Sequence, residues 1–306
     1  MEENTSHTTG SSSPTITLKI LALLSHVRWQ NIFVLALSQY LAVFFVLNDP
    51  KDWNKVLTDW VMHIIILCGM LAVAGGYLIN NFYDREKDLI NRPHRTLLEA
   101  YVNNDLIVRL YILINFLALV LSLLVSLRAF FYYVVFIVLL WFYSHKVKKK
   151  PLAGNLLASS LAIYPFFSVF IYYKLHNWNV LFYTLLIWML LYTRELIKDL
   201  ESHRGDLIAG YHTLPVLVGK LNAQIFLRWI LLADVVFFLL FSVHVFGRLN
   251  VLIYYTLAVA GVIFGMFILS LKENINMYIA LWHQIFRIIV FIGVFFLALE
   301  PNWHLV

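Results

Sequence analysis

Two stretches of the chain carry carboxylates at spacings that suit a divalent metal. In the first, Asn80-Asn81-Phe82-Tyr83-Asp84-Arg85-Glu86-Lys87-Asp88, the residues Asn80, Asp84 and Asp88 recur every fourth position. On a helix that spacing aligns them in one stripe of oxygen donors. Mg²⁺ takes oxygen ligands, retains several waters and commonly bridges one or two carboxylates to substrate phosphates. In the second stretch, Arg194-Glu195 through Lys198-Asp199 to Gly205-Asp206, Glu195 and Asp199 are four apart and Asp206 follows seven later. Seven residues are close to two turns, so Asp199 and Asp206 share a face if the helix persists. Gly205 offers it an early end.

Each stretch also has a plainer reading. The first can be a solvated helix end whose acids pair with Arg85, Lys87 and Arg92, and the second a structural charge cluster. Their coincidence favours chemistry. A charge at the centre of a membrane helix costs about 2.5–3.5 kcal/mol, and less towards its ends, so the charges are tolerable there. Solubility does not require them to align. Together the two stripes outline a cavity for two divalent ions with an anion such as a diphosphate between them. A third polar stretch, Tyr143-Ser144-His145-Lys146-Val147-Lys148-Lys149-Lys150-Pro151, reads mainly as a topology signal in Lys146, Lys149 and Lys150. One lysine, with Lys148 the candidate, can instead reach the diphosphate and stabilise charge on the leaving group.

The elements that must hold these groups are membrane helices. Of 306 residues, 61% are hydrophobic and 13% charged, and the mean hydropathy is +0.78. Soluble domains carry roughly 25% charged residues, so a bilayer surface fits this chain where a water-soluble one does not. Apolar runs long enough to span occur near 18–47, 60–83, 105–127, 129–145, 153–174, 178–198, 221–246, 249–271 and 278–299. The boundary between the third and fourth falls around Arg128. The expectation is an all-α polytopic membrane protein whose nine transmembrane helices surround a central cavity with a polar mouth. Residues 1–17, rich in Ser and Thr, read as a disordered tail, and 18–306 as one membrane domain.

Nine spans place the termini on opposite sides. Loops after even-numbered helices hold Arg85, Lys87, Arg92, Arg95, Lys146, Lys148, Lys149, Lys150, Arg194, Lys198, Arg204, Lys220 and Lys272. The other loops hold only Lys51, Lys55, Arg128, Lys174 and Arg248. The positive-inside rule then makes the basic loops and the N-terminus cytoplasmic. The net charge of +6 is accounted for by topology, with no nucleic-acid partner implied. Cys68, the single cysteine, lies in an apolar run and reads as a buried, inert thiol. His94, His145, His203 and His212 are scattered singly, which disfavours zinc. A transporter is the competing class, but no repeated halves or midplane charges support it.

The stretch Asn80 through Asp84-Arg85-Glu86 and Asp88 to Asn91-Arg92-Pro93 resembles the first signature of the UbiA superfamily of intramembrane prenyltransferases. Arg194-Glu195 through Lys198-Asp199 and Gly205-Asp206 to Thr213-Leu214-Pro215 is similar to the second. The likeness runs from about residue 18 onward. It implies nine helices, an isoprenyl diphosphate donor, a lipophilic acceptor, contact with membrane lipids, and Mg²⁺. By position, Asn80, Asp84 and Asp88 would serve one side of the Mg²⁺-diphosphate cluster, and Asp199 and Asp206 the other. Lys148, behind Tyr143-Ser144, would join Arg92 and Arg95 at the diphosphate. Arg28 and Asn31 resemble an Arg-Pro-x-Asn element near the pocket, with Trp29 in place of the proline. Asn81 and Ser202 stand where relatives often carry Asp, each losing a negative charge. The acceptor class stays open between aromatic and glycerol-phosphate types, with a slight lean to the latter. A UbiA-type terpene cyclase is the nearest enzymatic alternative.

Overall fold

The computed structural model describes residues 16–48, 50–174, 178–245, 249–269 and 275–299. The expected tail, up to residue 15, lies outside the described residues, as do Arg248 and Lys272 from the expected loops. Every regular element among the described residues is helical.

The first expected span is broken. Helix α1 (Ile16–Val27) and α2 (Trp29–Ala42) meet at Arg28, which is left-handed at φ 50°, and a π-turn over Val43–Leu47 continues α2. After a short α3 (Trp53–Thr58), α4 runs over Trp60–Asn91, its first turn capped by the Asp59 carboxylate accepting from the Met62 amide. Pro93 opens α5 (Pro93–Glu99), and α6 (Asn104–Val125) and α7 (Leu127–His145) follow. The break between α6 and α7 falls at Ser126, ahead of the expected position. The Ser126 hydroxyl caps the Ala129 amide, and Arg128 joins the first turn of α7.

The fifth span also divides, into α8 (Ala153–Ile163) and α9 (Phe167–Tyr173), around a 3₁₀ turn holding Pro165. A break in a membrane helix leaves backbone groups that the interior must satisfy. Gln39 Nε2 does so, donating to Pro165 O at 2.9 Å and to Ser168 Oγ at 3.2 Å. The remaining helices are α10 (Trp178–Ile208), α11 (Leu214–Val218), α12 (Lys220–Val245), α13 (Leu249–Ile268) and α14 (Ile275–Leu299).

Among the described residues eight helices are long and apolar enough to cross a membrane. The expected eighth span is α13, whose fully described part, Ile253–Ile268, is shorter. Neighbouring helices pack in the order α2, α4, α6, α7, α8, α10, α12, α13, α14, and α14 returns to α2, closing a ring. Helices α4 and α10 also meet each other directly. Trp282, Tyr183, Tyr254, Phe238 and Phe286 fill the largest apolar cluster, Tyr133, Phe136 and Cys68 a second, and Ala22, Leu78, Val102 and Ile107 a third. Cys68 is fully buried, its thiol directed at Ala118 O. Large apolar side chains such as Ile112, Phe116, Leu124 and Phe131 point outward from α6 and α7, as a lipid-facing surface requires.

Candidate active site at the ends of α4 and α10

The two acidic stripes depend on two helices that overrun their apolar segments. Helix α4 has 32 residues and α10 has 31. At 1.5 Å per residue each is about 47 Å long, against about 30 Å of hydrocarbon. The surplus carries the charges. Helix α4 persists to Asn91 because Arg92, preceding Pro93, is turned out of helical geometry at φ −143°. Helix α10 passes straight through Gly205. A Cβ there would lie 2.3 Å from the Asn91 amide nitrogen, so the glycine serves the close approach of the two helix ends and does not stop α10.

Asp84 sits at the centre of the contact. Its Oδ1 meets Lys148 Nζ at 2.8 Å and accepts from the Tyr211 hydroxyl at 2.6 Å. Its Oδ2 accepts from Asn80 Nδ2 at 2.9 Å, and Lys148 also donates to Asn80 Oδ1 at 3.3 Å. Across the gap Asp206 is fully buried. Lys87 Nζ lies 2.5 Å from its Oδ1, while the Ser202 and Thr213 hydroxyls donate to Oδ2 at 2.9 and 3.1 Å. Asp199 accepts from Asn155 Nδ2 of α8 at 2.8 Å. Asp88 is half-buried, within electrostatic range of Arg92 and Arg28. Glu195 is bound to Lys198 on its own helix and reaches nothing on α4.

The loop between α10 and α11 completes the mouth. Tyr211 is buried, and its ring lies beneath the ammonium groups of Lys87, Lys149 and Lys148 at 4.8, 5.2 and 5.9 Å. Burial, then the Asp84 carboxylate, raise its phenol far above the ordinary tyrosine range, so it stays protonated and donates. Burial and the neighbouring Arg28 guanidinium lower the Arg92 value.

The donor set is all oxygen, from Asn80, Asp84, Asp88, Asp199 and Asp206, without His or Cys. No three acidic, His or Cys side chains converge among the described residues. An ion here would draw one or two protein ligands and complete its shell from phosphate and water. That is the habit of Mg²⁺, and the residues fit it.

Other expected site residues lie at varying distances from this centre. Arg28 stacks over the Tyr77 ring at 5.2 Å, and Asn31 donates to the Tyr77 hydroxyl at 2.9 Å, one turn below Asn80. Tyr143 is within electrostatic range of Glu195, Asp84 and Asp199. Arg95 is engaged elsewhere: it donates to Glu99 and to Ser25 O, both at 2.7 Å, tying α5 to α1. Asn81 turns to α1 and donates to His26 O at 2.8 Å, a bond an Asp carboxylate could not make.

Sequence reasoning passed over Lys87, Tyr211, Asn155 and the contribution of Lys149. Lys87 was visible only as one cation within the first stripe, and its carboxylate partner is on the other helix. Tyr211 lies four residues before Pro215, inside the second signature, where its spacing carries no signal.

The model of the UbiA prenyltransferase family matches residues 32–283. The chain is 30% identical over 205 residues to digeranylgeranylglyceryl phosphate synthase of Sulfurisphaera tokodaii, covering 66% of this chain and 71% of that protein. Its similarity to the synthase of that name from Methanobrevibacter smithii is 30% over 225 residues, covering 69% and 78%. Among solved structures, a digeranylgeranylglyceryl phosphate synthase superposes with a TM-score of 0.64 at 21% identity, covering 92% of this chain and 98% of that one. A UbiA homologue from Archaeoglobus fulgidus bound to GPP and Mg²⁺ gives 0.60 at 16%, covering 89% and 99%.

Proposed function

The chain belongs to the UbiA prenyltransferase family, and on that premise we infer that it transfers a prenyl group from an isoprenyl diphosphate to a glycerol-phosphate type lipid, with Mg²⁺. Family membership removes the transporter reading. The acceptor follows the name shared by the relatives above, digeranylgeranylglyceryl phosphate synthase. The observation that carries the reading is the joining of both acidic helix ends at one mouth, Asp84 and Asp206 being linked through Tyr211 and Lys87.

Asn80, Asp84 and Asp88 on α4, with Asp199 and Asp206 on α10, would hold the metal. When bound, Mg²⁺ supplies neutralisation of the diphosphate as its bond to the allylic carbon breaks. Lys148 and Lys87 lie against the same carboxylates and stabilise negative charge on the departing diphosphate. Tyr211 and the Asn80 amide hold Asp84 in one orientation, so little reorganisation accompanies reaction. The acceptor hydroxyl oxygen then bonds to the allylic carbon and releases its proton, while diphosphate leaves. Apolar helix walls below the mouth exclude water that would otherwise capture the prenyl cation. The bias of basic residues supports a cytoplasmic orientation for this mouth.

The test is turnover in detergent with radiolabelled prenyl diphosphates of several lengths, a panel of acceptors, and parallel EDTA reactions. Metal-dependent transfer of label to a glycerol-phosphate lipid is the expected result. A cyclic hydrocarbon formed without acceptor would identify a cyclase instead, and intact donor throughout would sink the proposal.

A further inference from the structure

Tyr211 is poised in a way that neither its family's signatures nor its position in the chain assigns. Gly210, at φ +67°, turns the chain out of α10, and the Tyr211 amide donates back to Asp206 O at 2.8 Å. The next amide, of His212, donates to Lys149 O at 3.0 Å, fastening the loop to the lysine turn that follows α7. The Tyr211 side chain is therefore delivered between the two acidic helices by backbone bonds on both sides.

Three ammonium groups gather on its ring. Lys87 comes from α4, and Lys148 and Lys149 from the turn after α7. Like charges this close repel, and two of the three are offset by carboxylates, Lys87 by Asp206 and Lys148 by Asp84. Lys149 has no carboxylate within ion-pairing distance among the described residues. The aromatic face is its compensation, because a ring quadrupole attracts cations. The three ammonium groups are thereby preassembled beside the carboxylates, with Lys149 the one left without an acidic partner among the described residues.

We propose that Tyr211 is a positioning residue with two separable parts: its ring assembles Lys87, Lys148 and Lys149 into the receptor for the donor's diphosphate, and its hydroxyl orients Asp84. This rests on the prenyltransferase reading above. The ring's contribution is to diphosphate capture and does not require metal, whereas the hydroxyl acts through a carboxylate that would hold it.

The experiment compares wild type, Tyr211→Phe and Tyr211→Leu, each verified as helical and monodisperse in detergent. Calorimetry with inorganic pyrophosphate in EDTA reads the metal-free receptor, and steady-state kinetics read KM for the donor, kcat and the Mg²⁺ concentration for half-maximal rate. Tyr211→Leu should weaken metal-free pyrophosphate binding at least about fivefold and raise the donor KM by a similar factor, with a smaller change in kcat. Tyr211→Phe should restore pyrophosphate binding, yet require more Mg²⁺ than wild type. Lys149→Met should bind pyrophosphate as weakly as Tyr211→Leu.

Wild-type pyrophosphate binding in Tyr211→Leu overturns the proposal, as does a Tyr211→Phe protein that binds no better than Tyr211→Leu. Should Tyr211→Leu fail to fold, the comparison of Tyr211→Phe and Lys149→Met with wild type decides between the same outcomes. A wild type that binds pyrophosphate but transfers no prenyl group refutes the enzymatic reading and leaves the receptor standing. One that transfers prenyl groups while its Tyr211→Leu variant binds pyrophosphate normally refutes the receptor alone.

Discussion

Lys87 of α4 makes its ion pair with Asp206 of α10, at 2.5 Å, and not with the acids flanking it on its own helix. The pair crosses between the two acidic stripes and is almost wholly removed from solvent. Breaking a buried pair by removing one partner leaves an uncompensated charge and costs about 3–5 kcal/mol. Lys87→Met should therefore lower the unfolding temperature in detergent and suppress turnover together. The double variant Lys87→Met with Asp206→Asn should regain much of the thermal stability while staying inactive. If the double variant unfolds as early as the single one, the pair is not what stabilises the contact.

Asp84 and Asp199 should be required for chemistry and dispensable for membrane insertion. Each alanine variant is expected to lose at least about 10²-fold in kcat while retaining wild-type helicity by circular dichroism. A double variant that still turns over donor would end the metal-site assignment.

Chelation separates Mg²⁺ from other metals. EDTA should abolish transfer, and Mg²⁺ should restore it. Zn²⁺ at equal free concentration should restore much less, because the donors are oxygen alone. Full recovery with Zn²⁺ would point to ligands other than Asn80, Asp84, Asp88, Asp199 and Asp206.

Asn81 holds α4 to α1 through a hydrogen bond donated to the carbonyl of His26. Replacing it with Asp turns a donor into an acceptor facing an acceptor. Asn81→Asp should destabilise the protein by about 1–3 kcal/mol without lowering the Mg²⁺ concentration for half-maximal activity. An increase in metal affinity in that variant would show that the residue faces the site after all.

Tags placed at the two termini test the nine-span topology. The N-terminal tag should be reached only from the cytoplasmic side and the C-terminal tag only from the other. Both on one side would require an even number of crossings.

Much was legible from the chain itself. The four-residue recurrence of Asn80, Asp84 and Asp88 needs only a helix to become a face, and Asp199 and Asp206 needed the helix to survive Gly205. Helix α10 does continue through it, and the glycine lies where a Cβ would meet the Asn91 side chain. The breaks at Arg28, Ser126 and Pro165 were less legible. A polytopic chain can carry a kink inside an apolar run wherever another helix satisfies the freed backbone, as Gln39 does for Pro165.

Composition and periodicity alone determined that this is a bundle of membrane helices with two acidic faces near their ends, because burial in lipid and helical pitch are local demands on the chain. Which cation serves which acid was decided only by tertiary structure. Lys87 pairs across helices, Arg95 turns away to Glu99, and Tyr211 arrives from a loop with three lysines over its ring. Ion pairing and cation–π contact depend on separation in space, and residues far apart in sequence acquire that separation only when the helices pack.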